Sequence, residues 1–339
     1  MSKVIVLSTG GTIATRRNTR GVGLAKDSAG ELLGRLPAVP GVALEGVDVL
    51  CAGSYLFTLA DMRQVALSIR AALTGPGVLG VVVTHGTDGM EETAYLADLF
   101  HDDPRPVVFT GAQHPADAPD GDGPRNLAGA IAVASSARAR DLGALICFDG
   151  QIYAAAGTRK THTLAEAAFS TPDGGPLGRV RDGRVSLSMT PVRAKPLDLD
   201  TFDLDGVRTD IVALYPGCDA AALRAVAEAG ATGIVLQALG AGNANPLIRD
   251  EVARLTEAGV VVALSTRVDA GPVATLYGNG GGADLVEAGA VPTGTLRSPQ
   301  ARVLLSALLG GRRDPDRVRE ELRARTSPTE RTSPTERTN

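Results

Sequence analysis

The chain is 339 residues long, 44% apolar and 21% charged, with a formal net charge of -4. That length predicts two domains, each able to bury its own core, and the acidic balance, 3% aromatic content and absence of tryptophan exclude a basic or stacking nucleic-acid surface. No Lys/Arg block points to a membrane surface, no apolar run reaches the roughly 18 residues of a membrane span, and the N-terminal stretch is too short for a signal-peptide core, so a cytoplasmic protein is expected.

Val4 to Leu7 is a continuous apolar run, which predicts a strand buried on both faces of a parallel sheet. It opens into Ser8-Thr9-Gly10-Gly11-Thr12, where the glycines permit a sharp turn and close approach to the main chain. Ligands of open α/β sheets bind at such carboxyl ends, so Thr12 should turn its hydroxyl to a ligand; a phosphate would suit the same turn. Residues 15 to 30 are polar and aperiodic, which predicts a mobile lid or a disordered surface insert. Thr58 caps a helix whose Leu59, Met62, Val65, Ile69 and Leu73 share one face, and Gly75-Pro76-Gly77 stops it. A second strand, Leu79 to Val83, leads into Thr84-His85-Gly86-Thr87-Asp88-Gly89, and a helix follows with Glu91 and Glu92 in its first turn.

Further strands are expected at Val107 to Phe109, ending in Thr110-Gly111-Ala112-Gln113, and at Leu145 to Phe148, with a helix from Leu127 to about Arg138 between them. This alternation predicts a parallel sheet with right-handed crossovers. Residues 170 to 210 turn irregular and rich in Pro and Gly, with one strand at Val185 to Met189. Strands at 211–214, 234–236 and 260–264 then alternate with helices at 220–229 and 247–258, and a last helix spans 300–309. The tandem Thr-Ser-Pro-Thr-Glu-Arg repeat from Thr326 has nothing apolar to bury and predicts disorder. The reading is therefore an α/β protein. Residues 1–190 form a larger N-terminal domain, a parallel-rich sheet flanked by helices; 191–210 are a linker, 211–322 a smaller α/β domain, and 323–339 a disordered tail. Cys51, Cys147 and Cys218 are odd in number, far apart and outside any CxxC pair, so they read as buried free thiols and not as disulfide or metal ligands.

Two strand-end turns each present a threonine, Thr12 and Thr87. A threonine hydroxyl is no nucleophile at its free pKa and needs a base or an activating hydrogen bond. Asp88 is adjacent to Thr87, and Lys160 lies in Thr158-Arg159-Lys160-Thr161. Lysine becomes a base when burial or a neighbouring charge lowers its pKa from ~10.4; otherwise Lys160 is a solvated loop residue. His85 reads as a structural residue at the strand end, with general base as its alternative.

Thr9-Gly10-Gly11-Thr12-Ile13-Ala14 and His85-Gly86-Thr87-Asp88-Gly89-Met90-Glu91-Glu92-Thr93-Ala94 resemble the two signature motifs of the bacterial-type L-asparaginase family. The resemblance continues through Gly111-Ala112-Gln113, Asp122-Gly123-Pro124-Arg125-Asn126-Leu127, the Lys160 segment, Gly294-Thr295-Leu296 and Ala301-Arg302-Val303-Leu304-Leu305. It implies hydrolysis of the side-chain amide of L-asparagine, without metal or cofactor. By motif, Thr12 is the expected nucleophile of an acyl-enzyme. Thr87, Asp88 and Lys160 form a second polar triad, and Asp88 also holds the substrate α-amino group. Ser54, followed by Tyr55, is expected to bind the α-carboxylate, and main-chain N–H groups near the threonines are expected oxyanion donors. The family's site lies between subunits of a homotetramer built from tight dimers, and Asn243 matches the residue that a neighbour's smaller domain supplies.

Three departures stand out. No tyrosine precedes Tyr55, although the family's lid supplies one; Tyr55 replaces the usual Gln or Glu after the serine; and no Glu follows Leu276 until Glu287. Tyr277 of a neighbouring subunit is therefore a candidate activator of Thr12. A broader glutaminase-asparaginase and a catalytically impaired amino-acid-binding relative are the alternatives. A dinucleotide enzyme is disfavoured, because Thr12 stands after the glycine pair where that fingerprint needs a third glycine.

Overall fold

The computed structural model describes residues 1–17, 23–36, 41–311 and 314–327, and divides into one unit from Met1 to Leu204 and a second from Asp205 onward. In the first unit, β1 (Lys3–Gly10) is followed by a short hairpin of β2 (Thr15–Arg17) and β3 (Gly23–Ala25), then α1 (Ala29–Leu33) and β4 (Ala43–Ala52). Next come α2 (Leu59–Leu73), β5 (Val78–Thr84), α3 (Met90–Phe100), β6 (Val107–Thr110), α4 (Gly123–Ala134) and β7 (Ala144–Phe148). Five short strands complete it: β8 (Gln151–Ala154), β9 (Arg159–Lys160), β10 (Phe169–Ser170), β11 (Gly178–Arg181) and β12 (Arg184–Leu187).

An eight-stranded sheet runs in the order β12-β11-β8-β7-β6-β5-β1-β4. The strands from β4 to β7 are parallel, and β8, β11 and β12 extend it in antiparallel pairings. The apolar runs are continuous because both faces are covered. Ile5, Leu7, Val81, Val83, Phe109 and Ile146 face α2 and α3 through Val65, Ile69, Met90 and Ala94. Val4, Val6, Val82, Val108 and Leu145 face α4 through Leu127, Ala130 and Ile131. At the start of α2, Thr58 Oγ1 accepts from Asp61 N at 3.3 Å while Asp61 Oδ2 accepts from Thr58 N at 2.8 Å, a reciprocal cap.

The expected linker is divided. Residues 191–204 pack on the first unit, where Leu197 N donates to Leu99 O at 2.7 Å and Phe202 stacks on Phe100 at 4.9 Å between ring centroids. Two buried apolar side chains, Leu199 and Phe202, supply the reason. Cys147 and Cys218 are buried free thiols, but Cys51 is exposed, because it lies near the carboxyl end of β4 on the wall of an open cavity.

The second unit holds a parallel sheet in the order β13 (Thr209–Ala213), β14 (Gly233–Ala238), β15 (Val261–Thr266), β16 (Val291–Pro292). Its helices are α5 (Ala221–Glu228), α6 (Pro246–Glu257), α7 (Gly282–Glu287), α8 (Ser298–Gly311) and α9 (Pro315–Thr326). Helix α9 corrects the expected start of the tail at 323. Val318 and Leu322 anchor it in the core, and Thr326 Oγ1 donates to Pro292 O at 2.9 Å. The rest of the repeat, 328–339, lies outside the described residues. Among the described residues no helix is long and apolar enough to cross a membrane.

Candidate functional site

The carboxyl ends of β1 and β5 lie side by side in parallel register, and Thr9 Oγ1 donates to Thr84 O at 2.9 Å across them. Beyond them, Gly10 and Gly11 take φ of 97° and 78°, a region open to glycine and strained for other residues. A Cβ on Gly11 would overlap the backbone of Gly86, so the two turns touch main chain to main chain. Thr12 begins a single 3-10 turn whose Ile13 and Ala14 are buried, which fixes the half-buried Thr12 at the rim.

A cavity of about 510 Å³ opens there, and Thr12, Ser54, Tyr55, Thr87, Asp88 and Lys160 all line it. Six residues singled out from the sequence are thus brought together. Lys160 Nζ donates to Thr87 Oγ1 at 2.8 Å and to Asp88 Oδ1 at 2.7 Å, so it is not a solvated loop residue. Its side chain is 16% exposed and that of Asp88 57%, which places the ion pair at the cavity wall. Ser54 is buried, and its Oγ accepts from Gly89 N at 3.0 Å, tying the β4–α2 connection to the start of α3. Tyr55 is 75% exposed at the mouth.

His85 is fully buried, edge-on to Phe57 at 4.9 Å between ring centroids. Its Nδ1 donates to Gly86 O at 2.8 Å, and burial pulls the imidazole down to about 4. A neutral ring holding a turn is a structural part, as the sequence suggested, and not a base facing the cavity.

Two residues carry more than the sequence assigned them. Glu91, 8% exposed in the first turn of α3, accepts from Lys160 N at 2.6 Å through Oε2. Burial pushes its carboxyl up to about 7, against the opposing pull of that N–H and of Arg159. Gln113, just past β6, accepts from Thr87 Oγ1 at 3.1 Å and also lines the cavity. Its position after a parallel strand was the available signal, since ligands gather at such ends.

The ends of the 15–30 segment form the β2–β3 hairpin, paired Thr15 to Ala25, and Thr15, Gly23, Leu24 and Ala25 face the cavity. Asp27 pins its base to Arg16 at 2.7 Å and to Arg35, and against its burial these two guanidinium groups hold the Asp27 carboxyl below the ordinary range. Residues 18–22, the centre of the expected lid, lie outside the described residues.

Asn243 and Tyr277 belong to the second unit. Asn243 Oδ1 accepts from Gly282 N at 3.2 Å, bracing the glycine-rich loop before α7, and Tyr277 on that loop is 58% exposed.

Residues 3–193 match the family model described as "Asparaginase, N-terminal", and residues 208–322 match "Glutaminase/Asparaginase C-terminal domain". A Deinococcus radiodurans protein named "Probable L-asparaginase" is 38% identical over 91% of this chain and 93% of its own length. A Pseudomonas aeruginosa "Glutaminase-asparaginase" is 31% identical over 80% of this chain and 77% of its own. The crystal structure of "Probable Cytoplasmic L-asparaginase" from Campylobacter jejuni superposes with a TM-score of 0.84 at 33% identity, covering 95% of this chain and 99% of that one.

Proposed function

The chain belongs to the asparaginase family, and on that premise we propose that it is an L-asparaginase, hydrolysing the side-chain amide of L-asparagine to L-aspartate and ammonia. The observation that carries the reading is Lys160 Nζ bridging Thr87 Oγ1 and Asp88 Oδ1 in the cavity that Thr12 lines. Thr12 Oγ1 attacks the amide carbon, the C–N bond breaks with a proton going to the departing ammonia, and an ester on Thr12 is left. Water then hydrolyses that ester. Asp88 takes the substrate ammonium in a charge-assisted hydrogen bond, and Ser54 takes its carboxylate. The N–H groups of the two glycine turns face the carbonyl oxygen as charge develops on it.

The test is ammonia release from L-asparagine by the purified protein. Release that disappears in Thr12→Ala is expected, and a parent protein that releases none overturns the reading. A broader glutaminase-asparaginase is the second reading, favoured by the name of the Pseudomonas relative. One methylene changes discrimination by only ~1–3 kcal/mol, so kcat/KM on the two amides measured together decides between them.

The active form in this proposal is a homotetramer, a dimer of dimers, in which residues 211–322 of a neighbour complete each cavity with Asn243 and Tyr277. The Tyr277 phenol then activates Thr12 in place of the missing lid tyrosine. Light scattering should give four chains per particle, and Tyr277→Phe should lose turnover; activity equal to the parent's excludes that role. A cytoplasmic location is supported by the Campylobacter neighbour's name and is checked by cell fractionation.

A further inference from the structure

Gln113 sits on the edge of the cavity with every polar atom of its side chain engaged. Its main-chain N–H donates to the Asp122 carboxylate at 2.9 Å, and the same buried carboxylate accepts from His114 N at 2.9 Å and Asn126 Nδ2 at 3.1 Å. The backbone is therefore fixed. Its side-chain Nε2 donates to Thr163 O at 3.2 Å and Ala165 O at 3.0 Å. Two carbonyls can face only the NH₂ end of an amide, so the orientation of the group is determined: Oε1 points at Thr87.

The consequence falls on the Thr87 hydroxyl, which has one proton and two acceptor positions. Gln113 Oε1 takes the proton and Lys160 Nζ takes one acceptor position. One lone pair of Thr87 Oγ1 is left. We propose that Gln113 is a positioning residue for deacylation: by holding the Thr87 proton, it leaves Thr87 Oγ1 as an acceptor that orients the water attacking the Thr12 ester. In that step the water oxygen bonds to the ester carbon and the C–Oγ1 bond of Thr12 breaks. One water proton, steadied by Thr87 Oγ1, ends on Thr12 Oγ1, and the product carboxylic acid departs and ionises. Without Gln113 the Thr87 hydroxyl is free to rotate its own proton toward the water, which then has no acceptor.

The proposal rests on the amide-hydrolysis reading, and the parent's ammonia release on L-asparagine tests that reading separately. Gln113→Met keeps length and flexibility but removes the acceptor. Loss of one orienting hydrogen bond lowers kcat about tenfold. Because acylation is untouched, KM should fall in proportion, kcat/KM should stay within about threefold, and ammonia should appear in an initial burst matching the number of sites. Gln113→Glu does the reverse: it keeps an acceptor for Thr87 and sets a carboxylate against the carbonyls of Thr163 and Ala165. It should melt at lower temperature while retaining kcat within about threefold. If Gln113→Met loses kcat/KM as much as kcat, or loses neither, or if Gln113→Glu loses kcat more than Gln113→Met does, the proposal is overturned.

Discussion

Glu91 offers a stability test whose sign and size follow from its surroundings. Burial raises its carboxyl from the ordinary 4.5 to about 7 in the folded protein. Below pH 4.5 the group is protonated in both folded and unfolded chains and contributes nothing. From there to about pH 7 the unfolded chain ionises first, so the native state loses about 1.4 kcal/mol per unit, reaching about 3 kcal/mol above pH 7. Glu91→Gln does not titrate, and its amide oxygen can still accept from Lys160 N, which lies 2.6 Å from the carboxylate. In urea unfolding followed by circular dichroism at matched protein concentration, the variant should gain about 3 kcal/mol on the parent between pH 4.5 and pH 8. A gap between the two proteins that stays constant across this range, or narrows as pH rises, would refute the reasoning.

Three further outcomes are expected. Lys160→Met removes the cation bonded to Thr87 and Asp88, and kcat should drop about 100-fold or more while the fold persists, as steady-state kinetics and a melting curve together would show. Gly11→Ala places a methyl group at φ 78° against the Gly86 backbone, so it should destabilise by about 2 kcal/mol or more and displace Thr12; an unchanged melting temperature with full activity would contradict the packed-turn account. His85, pulled down to about 4, should show no imidazole titration by NMR between pH 8 and pH 5. The sign of its linkage opposes that of Glu91: the unfolded histidine protonates below about 6.5, so the native state loses stability as pH falls from there toward 4.

The elements legible in the sequence are those whose side chains are buried on both faces. Val4 to Leu7 and Val81 to Val83 are continuous apolar runs because helices cover the sheet above and below them. Strand β4 was not legible: Glu45 and Asp48 interrupt it, and its pairing is supplied by the free edge of β1 and not by its own pattern. Helix α9 was missed for a related reason, since most of its residues are charged and Val318 and Leu322 alone carry its burial. At the site, Thr12, Thr87, Asp88 and Lys160 could be picked out because their residue types and turns carry chemistry. The bond from the Thr87 hydroxyl to Gln113 Oε1 could not, because its direction depends on the Thr163 and Ala165 carbonyls about fifty residues away.

The residues flanking the Thr87–Asp88 turn bear on which groups at the cavity wall carry charge. His85 precedes the turn and Glu91 follows it, and each is buried enough that its neutral form is favoured, the imidazole down to about 4 and the carboxyl up to about 7. Between those limits neither carries its charge, and the Lys160–Asp88 ion pair faces the cavity with two silent titratable neighbours. Above about pH 7, Glu91 gains a negative charge that the main-chain N–H of Lys160 receives as a hydrogen-bond donor. Lys160 Nζ donates to Thr87 Oγ1, and with Gln113 holding the Thr87 proton the direction of each bond in the chain is set from both ends.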